Sequence, residues 1–255
     1  MDEFTVRTDL DQHFLIDNRM VEILVKTAEI TTDDVVLEIG CGRGAITEEL
    51  VKTRGRIMGT EVDKRFFGLL EKLPIELLKE NALNVLKKRC EITKVIGNIP
   101  FQITEPLMHA LCVSRNIINA VLILPKTFSV RIEQNQIFSA FFDMELIEDV
   151  PRDAFEPKPR GASAIMKLVK KKEVDKTFVI RKIYLQREKK LGNALRDGLI
   201  DYLRAKGKKM TKKEAMDWIE KCCLDEKLLE IEVKRMILDD YRKISLEIEM
   251  IVKNI

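Results

Sequence analysis

The sequence has 255 residues, of which 45% are hydrophobic and 34% are charged, with 11 Gly and 7 Pro. This composition excludes a disordered or fibrous chain, and the length allows one large domain or a core domain with a smaller companion. The 45 Lys and Arg exceed the 42 Asp and Glu by a net charge of only +3, which taken alone indicates no polyanionic partner.

The cysteines, histidines and N-terminus predict an intracellular protein without a metal centre. The five cysteines include no C-x-x-C pair, and His13 and His109 are far apart in the sequence, so we expect reduced thiols and no bound metal. The first residues, MDEFTVRTDLDQHF, lack the apolar core of a signal peptide, and no later stretch is apolar enough to span a bilayer. We therefore expect a cytoplasmic protein that is not bound to a membrane.

From residue 35 onward, short apolar runs alternate with longer amphipathic runs, which is typical of βαβ units. We predict a doubly wound α/β fold with a largely parallel sheet, closed at one edge by a late antiparallel pair. The predicted strands are 35–40, 56–61, 93–97, 120–124, 141–150 and 164–169, and the predicted helices are 45–53, 64–73 and 104–113.

After residue 172 the β pattern ends, and helical spacing of apolar residues predicts a small helical domain over residues 173–255. Its helical segments are 180–203, 212–222 and 228–239. Charge divides at the same place, because residues 1–170 carry 23 basic and 26 acidic side chains, whereas residues 171–255 carry 22 and 16. Residues 181–213 alone hold twelve basic and three acidic residues. Such a segment suits a polyanion, although a solvated helical face is equally compatible with the charge alone.

A glycine-rich loop follows the first predicted strand of the sheet. Gly40, Gly42 and Gly44 can turn the backbone sharply and let it approach a ligand closely. Glu61 ends the second strand, where a carboxylate can accept hydrogen bonds from the hydroxyls of a ribose. The loop and the acid together predict an adenosine-type cofactor and leave open whether it carries a nicotinamide or a sulfonium group.

The sequence Asn98-Ile99-Pro100-Phe101 follows the next buried strand and indicates the chemistry. An exocyclic amino group of adenine needs hydrogen-bond acceptors, and the Asn98 side-chain oxygen and a backbone carbonyl near Pro100 can supply them. Phe101 can stack on the base. Methyl transfer to such a nitrogen depends mainly on positioning and electrostatics. We therefore favour a sulfonium cofactor and name Asn98, Pro100 and Phe101 as catalytic candidates.

Several motifs occur in one order over residues 12–195. They are Gln12-x-Phe14-Leu15, Glu38-x-Gly40-x-Gly42-x-Gly44, Glu61-x-Asp63, Asn98-Ile99-Pro100-Phe101, Phe155-x-Pro157-x-Pro159 and Gln186-Arg187-x-Lys189-Lys190-Leu191-x-Asn193-Ala194-Leu195. In this combination the chain resembles the small-subunit ribosomal RNA adenine N6,N6-dimethyltransferases, especially their archaeal branch.

That resemblance implies a Rossmann-like class I methyltransferase sheet with an antiparallel edge hairpin, followed by a small C-terminal helical domain. It implies S-adenosylmethionine as cofactor. The cofactor would be bound by His13, Leu15, Gly40, Gly42, Glu61, Asn81 and Asn98, and the RNA by Arg187, Lys189, Lys190 and Arg196. Asn81 stands where the family usually has Asp, so its contact with the adenine of the cofactor can differ in strength.

By the same resemblance we expect a monomer that dimethylates two adjacent adenosines near the 3′ end of small-subunit rRNA within a pre-ribosomal particle. The target base must leave its stack to reach the site. A large-subunit rRNA adenine methyltransferase is a close alternative. A non-catalytic ribosome-assembly factor is another, suggested by Asn81 and by a shortened loop at residues 131–139. A nicotinamide enzyme ranks below these.

Overall fold

The computed structural model describes residues 12–254; the N-terminal stretch used in the signal-peptide argument lies largely outside the described residues. In chain order the elements are β1 (Phe14–Leu15), α1 (Asn18–Thr27), β2 (Val35–Ile39), α2 (Ala45–Leu50), β3 (Arg56–Thr60), α3 (Phe67–Leu70), β4 (Glu76–Leu78), α4 (Ala82–Lys88), β5 (Lys94–Asn98), α5 (Thr104–Val113), β6 (Asn119–Pro125), α6 (Lys126–Glu133), α7 (Gln136–Phe141), β7 (Phe142–Val150), β8 (Phe155–Glu156), β9 (Ser163–Lys170), α8 (Phe178–Tyr184), α9 (Leu191–Ala205), α10 (Lys212–Glu220), α11 (Glu226–Leu229) and α12 (Leu238–Asn254).

The chain forms two compact units. Within the described residues, the first unit comprises 12–132 and 143–170, and the second comprises 133–142 and 171–254. The second unit is built from helices α7 to α12. No helix within residues 12–254 combines the length and the apolar composition needed to cross a bilayer.

Seven strands of the described chain form one mixed sheet in the order β4-β3-β2-β5-β6-β9-β7. The strands from β4 to β6 pair in parallel, and β9 runs antiparallel to β6. In β6, consecutive residues are buried, which shows that both faces of the sheet are covered at this strand. The predicted α/β fold with an antiparallel element at one edge is confirmed.

The parallel strands bring the candidate residues to one edge of the sheet. The glycine loop follows β2, Glu61 follows β3, Asn81 comes three residues after β4, and Asn98 ends β5. Because the carboxyl ends of parallel strands lie at the same edge, residues far apart in sequence meet there. This edge is where open α/β sheets bind their ligands.

Some predicted helices are wrong in extent. The helix predicted over 64–73 is a short 3-10 helix, Lys64–Phe66, followed by α3, and the chain leaves the helix before Pro74, which disfavours helical backbone in the residue preceding it. The helix predicted over 180–203 is interrupted between α8 and α9. The backbone there pairs instead with residues 231–234, through Leu191 N–H to Ile231 O and Val233 N–H to Lys189 O.

The same pairing explains the error over 228–239, where a 3-10 helix, Val233–Arg235, separates α11 from α12. Residues 131–139 are not an open loop, because they contain the end of α6 and the start of α7, joined by residues 134–135. The Asn135 side chain begins α7 by accepting hydrogen bonds from the Ile137 and Phe138 N–H groups.

Candidate active site

A cavity of roughly 330 Å³ lies at the carboxyl edge of the sheet in the first unit. Its volume falls in the range of small-molecule sites. The residues that line it include every catalytic and cofactor-binding candidate from the sequence, namely His13, Leu15, Gly40, Gly42, Glu61, Asn81, Asn98, Pro100 and Phe101. Within the described residues, no group of three His, Cys, Asp or Glu side chains is placed to hold a metal ion.

The Glu61 carboxylate fixes the floor of the cavity. It is 6% exposed and accepts hydrogen bonds from the backbone N–H groups of Gly42 at 2.7 Å, Val62 at 2.8 Å and Asp63 at 2.8 Å. Two of these bonds share Oε1, so Oε2, bonded to Gly42, keeps most of the remaining acceptor capacity. The side chain therefore joins the loop after β2 to the end of β3 and still presents an oxygen for a hydroxyl donor.

The glycine loop needs its glycines for backbone conformation and for space. Gly40 and Gly42 have φ angles of +71° and +52°, in the left-handed region that side chains disfavour. A Cβ at Gly42 would come within 3.2 Å of the Phe14 ring, whereas a Cβ at Gly40 would have no atom within 4 Å. The backbone at Gly40 is therefore open to a ligand, and the backbone at Gly42 is packed under an aromatic ring.

Glu38, in β2, is a fully buried carboxyl group beside this loop. Thr47 and Cys41 lie close enough to lower its pKa, but neither carboxyl oxygen has a partner at hydrogen-bond geometry within residues 12–254. Burial outweighs these contacts and, with the negative charge of Glu61, raises the pKa of Glu38 to about 7. Glu38 therefore carries a proton over part of the pH range in which ordinary carboxyls are ionised.

Residues 12–16, the N-terminal segment, are held against the loop that follows Glu61. Gln12 Nε2 donates to Asp63 Oδ2 at 3.0 Å, and the Arg65 guanidinium donates to both Gln12 Oε1 and Asp63. The hydrogen bonds from Arg65 hold the pKa of Asp63 well below its usual range, and Gln12 adds to this effect. The ionised Asp63 is thus a fixed anchor for the start of the segment.

The rest of the N-terminal segment pairs with the region around β8. Phe14 and Leu15 form β1, which runs antiparallel to β8. The Arg43 guanidinium lies 4.5 Å from the centre of the Phe14 ring and 3.1 Å from the Glu156 carboxylate. His13 Nδ1 is 2.8 Å from the Pro157 carbonyl, so a protonated Nδ1 donates to that oxygen. The segment is therefore fixed over the glycine loop.

Asn98 reaches the same segment from the other side of the cavity. Its Nδ2 donates to the His13 backbone carbonyl at 2.6 Å. This contact sets the orientation of the amide, because a carbonyl can only accept. The Asn98 Oδ1 has no donor within residues 12–254 and lines the cavity with the rest of the side chain. The sequence identified Asn98 but gave no indication of the contact that orients it.

The two residues that follow differ in what they offer a ligand. The Pro100 carbonyl accepts from Ile103 N–H at 3.1 Å and from the Thr104 hydroxyl at 3.3 Å, so its acceptor capacity is largely used. The neighbouring Ile99 carbonyl has no donor within the described residues. Phe101 is 39% exposed, an unusual state for an aromatic ring, and its centroid lies 6.4 Å from that of His13. Its exposed surface is available to a planar ligand.

Asn81 has a structural role as well as its place in the cavity lining. Its Oδ1 caps α4 by accepting from the Leu83 N–H at 2.8 Å. With this oxygen engaged, the side chain mainly offers the two N–H donors of its amide. An Asp at this position would cap the helix equally well and keep a second acceptor.

Other residues that shape the cavity received no role in the sequence-based prediction. Arg43 and Arg65 fix the N-terminal segment, and Ser163 and Pro159 line the wall. Phe14 belongs to the Gln-x-Phe-Leu motif, which marked this residue in the sequence although its packing on Gly42 was not predicted. Glu156, the partner of Arg43, and Gln12, the second partner of Arg65, are distant in sequence, so these contacts had no local signal.

The four RNA-binding candidates all lie in the second unit. Lys189 pairs with Asp197 at 2.7 Å, Lys190 with Glu230 at 2.5 Å, and Arg196 with Asp197 at 2.8 Å. The Arg187 guanidinium stacks over the Tyr184 ring at 5.5 Å. Three of the four candidate residues thus form an ion pair with a carboxylate of this chain.

Comparison with known families gives the identity. Residues 3–221 match the family model described as ribosomal RNA adenine dimethylase. The chain belongs to this family. The predicted family and the predicted enzyme class, an rRNA adenine dimethyltransferase, are confirmed.

Relatives of this dimethylase support the assignment. The chain is 31% identical over 240 residues to the ribosomal RNA small subunit methyltransferase A of Thermotoga maritima, covering 85% of each chain. It is 30% identical over 214 residues to a probable ribosomal RNA small subunit methyltransferase A of Methanopyrus kandleri, covering 74% of this chain and 76% of the relative. The match to the family model, over residues 3–221, includes the motifs that line the cavity.

Two solved structures share the fold of this dimethylase. A dimethyladenosine transferase from Plasmodium falciparum has a TM-score of 0.59 at 22% identity, covering 93% of this chain and 98% of that one. The 23S rRNA methyltransferase ErmE has a TM-score of 0.58 at 20% identity, covering 92% and 99%. At these identities the likeness establishes the fold.

The buried Glu38 makes a prediction about pH. When a group has a higher pKa in the folded than in the unfolded state, its protonation contributes to the free energy of unfolding. That contribution is complete at pH values below the unfolded pKa and is lost as the pH rises through the folded pKa. Replacing Glu38→Gln removes this dependence. Between about pH 5 and about pH 8, the free energy of unfolding of the variant should therefore rise relative to wild type by up to about 3 kcal/mol, measured by urea denaturation. The exposed Glu22→Gln is the control, and a difference that stays flat for Glu38→Gln would contradict the prediction.

Proposed function

We propose that this dimethylase transfers methyl groups from S-adenosylmethionine to N6 of two adjacent adenosines near the 3′ end of small-subunit rRNA, dimethylating each. It acts as a monomer on a pre-ribosomal particle, and its role is in small-subunit biogenesis. The observation that carries the proposal is the Asn98 amide, which is oriented by His13 O so that Oδ1 remains available in the cavity. The names of the relatives from Thermotoga maritima and Methanopyrus kandleri support the choice of ribosomal subunit.

The residues of the cavity fit S-adenosylmethionine. The open backbone at Gly40 leaves space for a ligand, and Glu61 Oε2 offers an acceptor suited to a ribose hydroxyl. His13 and Leu15 would hold the methionine part, Gly40 and Gly42 would pass beneath it, and Asn81 would contact the adenine. When bound, this cofactor supplies an electrophilic methyl group on a sulfonium.

Asn98 would hold the target amino group for the reaction. An N6 amino group has two protons and a lone pair delocalised into the ring, so acceptors that bind its protons increase electron density on the nitrogen. Asn98 Oδ1 is one such acceptor. Because the Pro100 carbonyl already has two donors, we assign the second acceptor to the carbonyl of Ile99. The exposed face of Phe101 would stack on the target base.

The basic residues of the second unit would contact RNA phosphates. Arg187, Lys189, Lys190 and Arg196 are the candidates from the sequence. Lys189 and Lys190 are exposed and their ion pairs are on the surface, where such pairs are worth about 0–1 kcal/mol, so a phosphate can compete for these two side chains. The pair between Arg196 and Asp197 is partly buried.

The assembly-factor alternative requires a damaged site, and no such damage is found among the described lining residues. The glycine loop is packed, Glu61 is hydrogen-bonded and Asn98 is oriented. In the segment 131–139, whose shortness suggested the alternative, residues 131–133 belong to α6 and residues 136–139 to α7. These observations favour the hypothesis that the protein is catalytic.

We expect Asn98→Ala to lower the rate of methyl transfer by about 100-fold or more, because it removes the acceptor that holds the reacting amino group. The measurement is single-turnover transfer of tritiated methyl from S-adenosylmethionine to small ribosomal subunits that lack the modification. Asn84→Ala, an exposed change on α4, is the control and should transfer at the wild-type rate. Equal rates for Asn98→Ala and wild type would refute the role of Asn98, and no transfer by wild type to any small-subunit particle would refute the proposed function.

We expect Asn81→Asp to bind S-adenosylmethionine about fivefold to tenfold more tightly than wild type in isothermal titration calorimetry. One carboxylate oxygen keeps the cap on α4, and the other becomes an acceptor for the adenine amino group, worth about 1 kcal/mol. Asn81→Ala removes the cap on α4 and the side-chain contact with the adenine, and it should bind more weakly than wild type. Unchanged or weaker binding by Asn81→Asp would place the adenine elsewhere.

A further inference from the structure

The connection between α9 and α10 carries the densest positive charge of the second unit. Residues 206–213, here the lysine loop, contain five lysines and no acidic residue. All five are exposed. They are Lys206, Lys208, Lys209, Lys212 and Lys213.

The lysine loop differs from the lysines that precede α9 because those lysines have acidic partners. Upstream, Lys182 pairs with Asp201 at 2.9 Å, and the candidates Lys189 and Lys190 also have carboxylate partners. In the loop, Lys206, Lys209, Lys212 and Lys213 have no carboxylate within 4.0 Å among residues 12–254. The large positive balance of residues 181–213 is therefore concentrated, after folding, in the lysine loop.

The backbone of the lysine loop is well defined. Gly207, with φ +76°, ends α9, while Gly207 N–H donates to Arg204 O at 3.0 Å and Lys208 N–H to Leu203 O at 2.9 Å, the hydrogen bonds of a Schellman motif. Thr211 begins α10 with a reciprocal capping box to Glu214. The lysines thus project from a fixed turn between two capped helices.

Helix stability does not account for this charge. Lys212 and Lys213 occupy the first turn of α10, the end at which the helix dipole disfavours cations. The loop is also no membrane anchor, because Met210 is its only large apolar side chain and membrane-surface segments combine basic with several apolar residues. A partner that presents closely spaced negative charges without an apolar surface fits best.

We propose that the lysine loop binds the phosphate backbone of a folded RNA, at a site separate from the flipped adenosine. The inference rests on the proposed function, which makes RNA the substrate. Lysines are flexible point charges that match single phosphates and read no base edge, so the loop supplies affinity independent of sequence. The loop contributes to binding of the ribosomal particle, so its loss should raise KM. The rate of methyl transfer in the bound complex depends on the catalytic cavity instead.

The test compares two quadruple variants of the full-length protein. The first neutralises the loop by Lys206→Gln, Lys209→Gln, Lys212→Gln and Lys213→Gln. The second neutralises four other exposed lysines that are scattered along the same unit and likewise have no carboxylate within 4.0 Å in the described part of the chain. The changes are Lys172→Gln, Lys221→Gln, Lys227→Gln and Lys243→Gln. Both variants lose four charges, so they differ in where the charge is lost.

Binding to fluorescently labelled small ribosomal subunits lacking the modification is measured between about 0.05 and 0.2 M salt. We expect the loop variant to bind tenfold or more weakly than wild type, with the slope of log Kd against log salt reduced by about 3, and the control variant to change far less. The single-turnover rate at saturating particle and the affinity for S-adenosylmethionine should stay at wild-type values for both variants.

Equal losses of binding in the two variants, or an unchanged salt slope in the loop variant, would overturn the role of the lysine loop. Either result can occur while wild type methylates the particle normally, so the loop can fail without the proposed function failing. Conversely, if wild type binds the particle through the loop but transfers no methyl group, the proposed function fails and the loop stands as an RNA-binding surface.

Discussion

A carboxylate removed from water must be given hydrogen-bond donors, and at the edge of this sheet the donors are backbone N–H groups. Glu61 accepts from Gly42, Val62 and Asp63, which draws the loop after β2 against the end of β3. The backbone at Gly42, whose N–H makes one of these bonds, has a φ of +52°, in the left-handed region. This one carboxylate therefore joins the two loops that form the floor of the cavity.

The N-terminal segment crosses the cavity and contacts residues on both sides of it. Gln12 is held by Asp63, two residues after Glu61, and the His13 carbonyl receives the Asn98 amide. A short run of chain thus connects the carboxylate that would bind the ribose with the amide that would bind the target base. Catalysis that depends on positioning needs such connections, because small misplacements of reacting groups are costly.

Patterns local in sequence predicted much of this arrangement, and contacts distant in sequence account for the rest. β6 was recognisable because a strand buried on both faces is a continuous apolar run. The motifs at the carboxyl ends of β2, β3 and β5 identified the lining of the cavity. The break between α8 and α9 was not recognisable, because residues 187–191 bond to residues 231–234, about forty positions away. Which lysines are paired with a carboxylate could not be predicted for the same reason, because Lys190 forms its ion pair with the distant Glu230.

Mass spectrometry of small-subunit rRNA from cells that lack this protein tests the central claim most directly. We expect the two adjacent adenosines near the 3′ end to carry no methyl groups in such cells, and to be dimethylated again when the wild-type chain is restored but not when Asn98→Ala is supplied. Full dimethylation of both adenosines in the absence of the protein would contradict the assigned substrate.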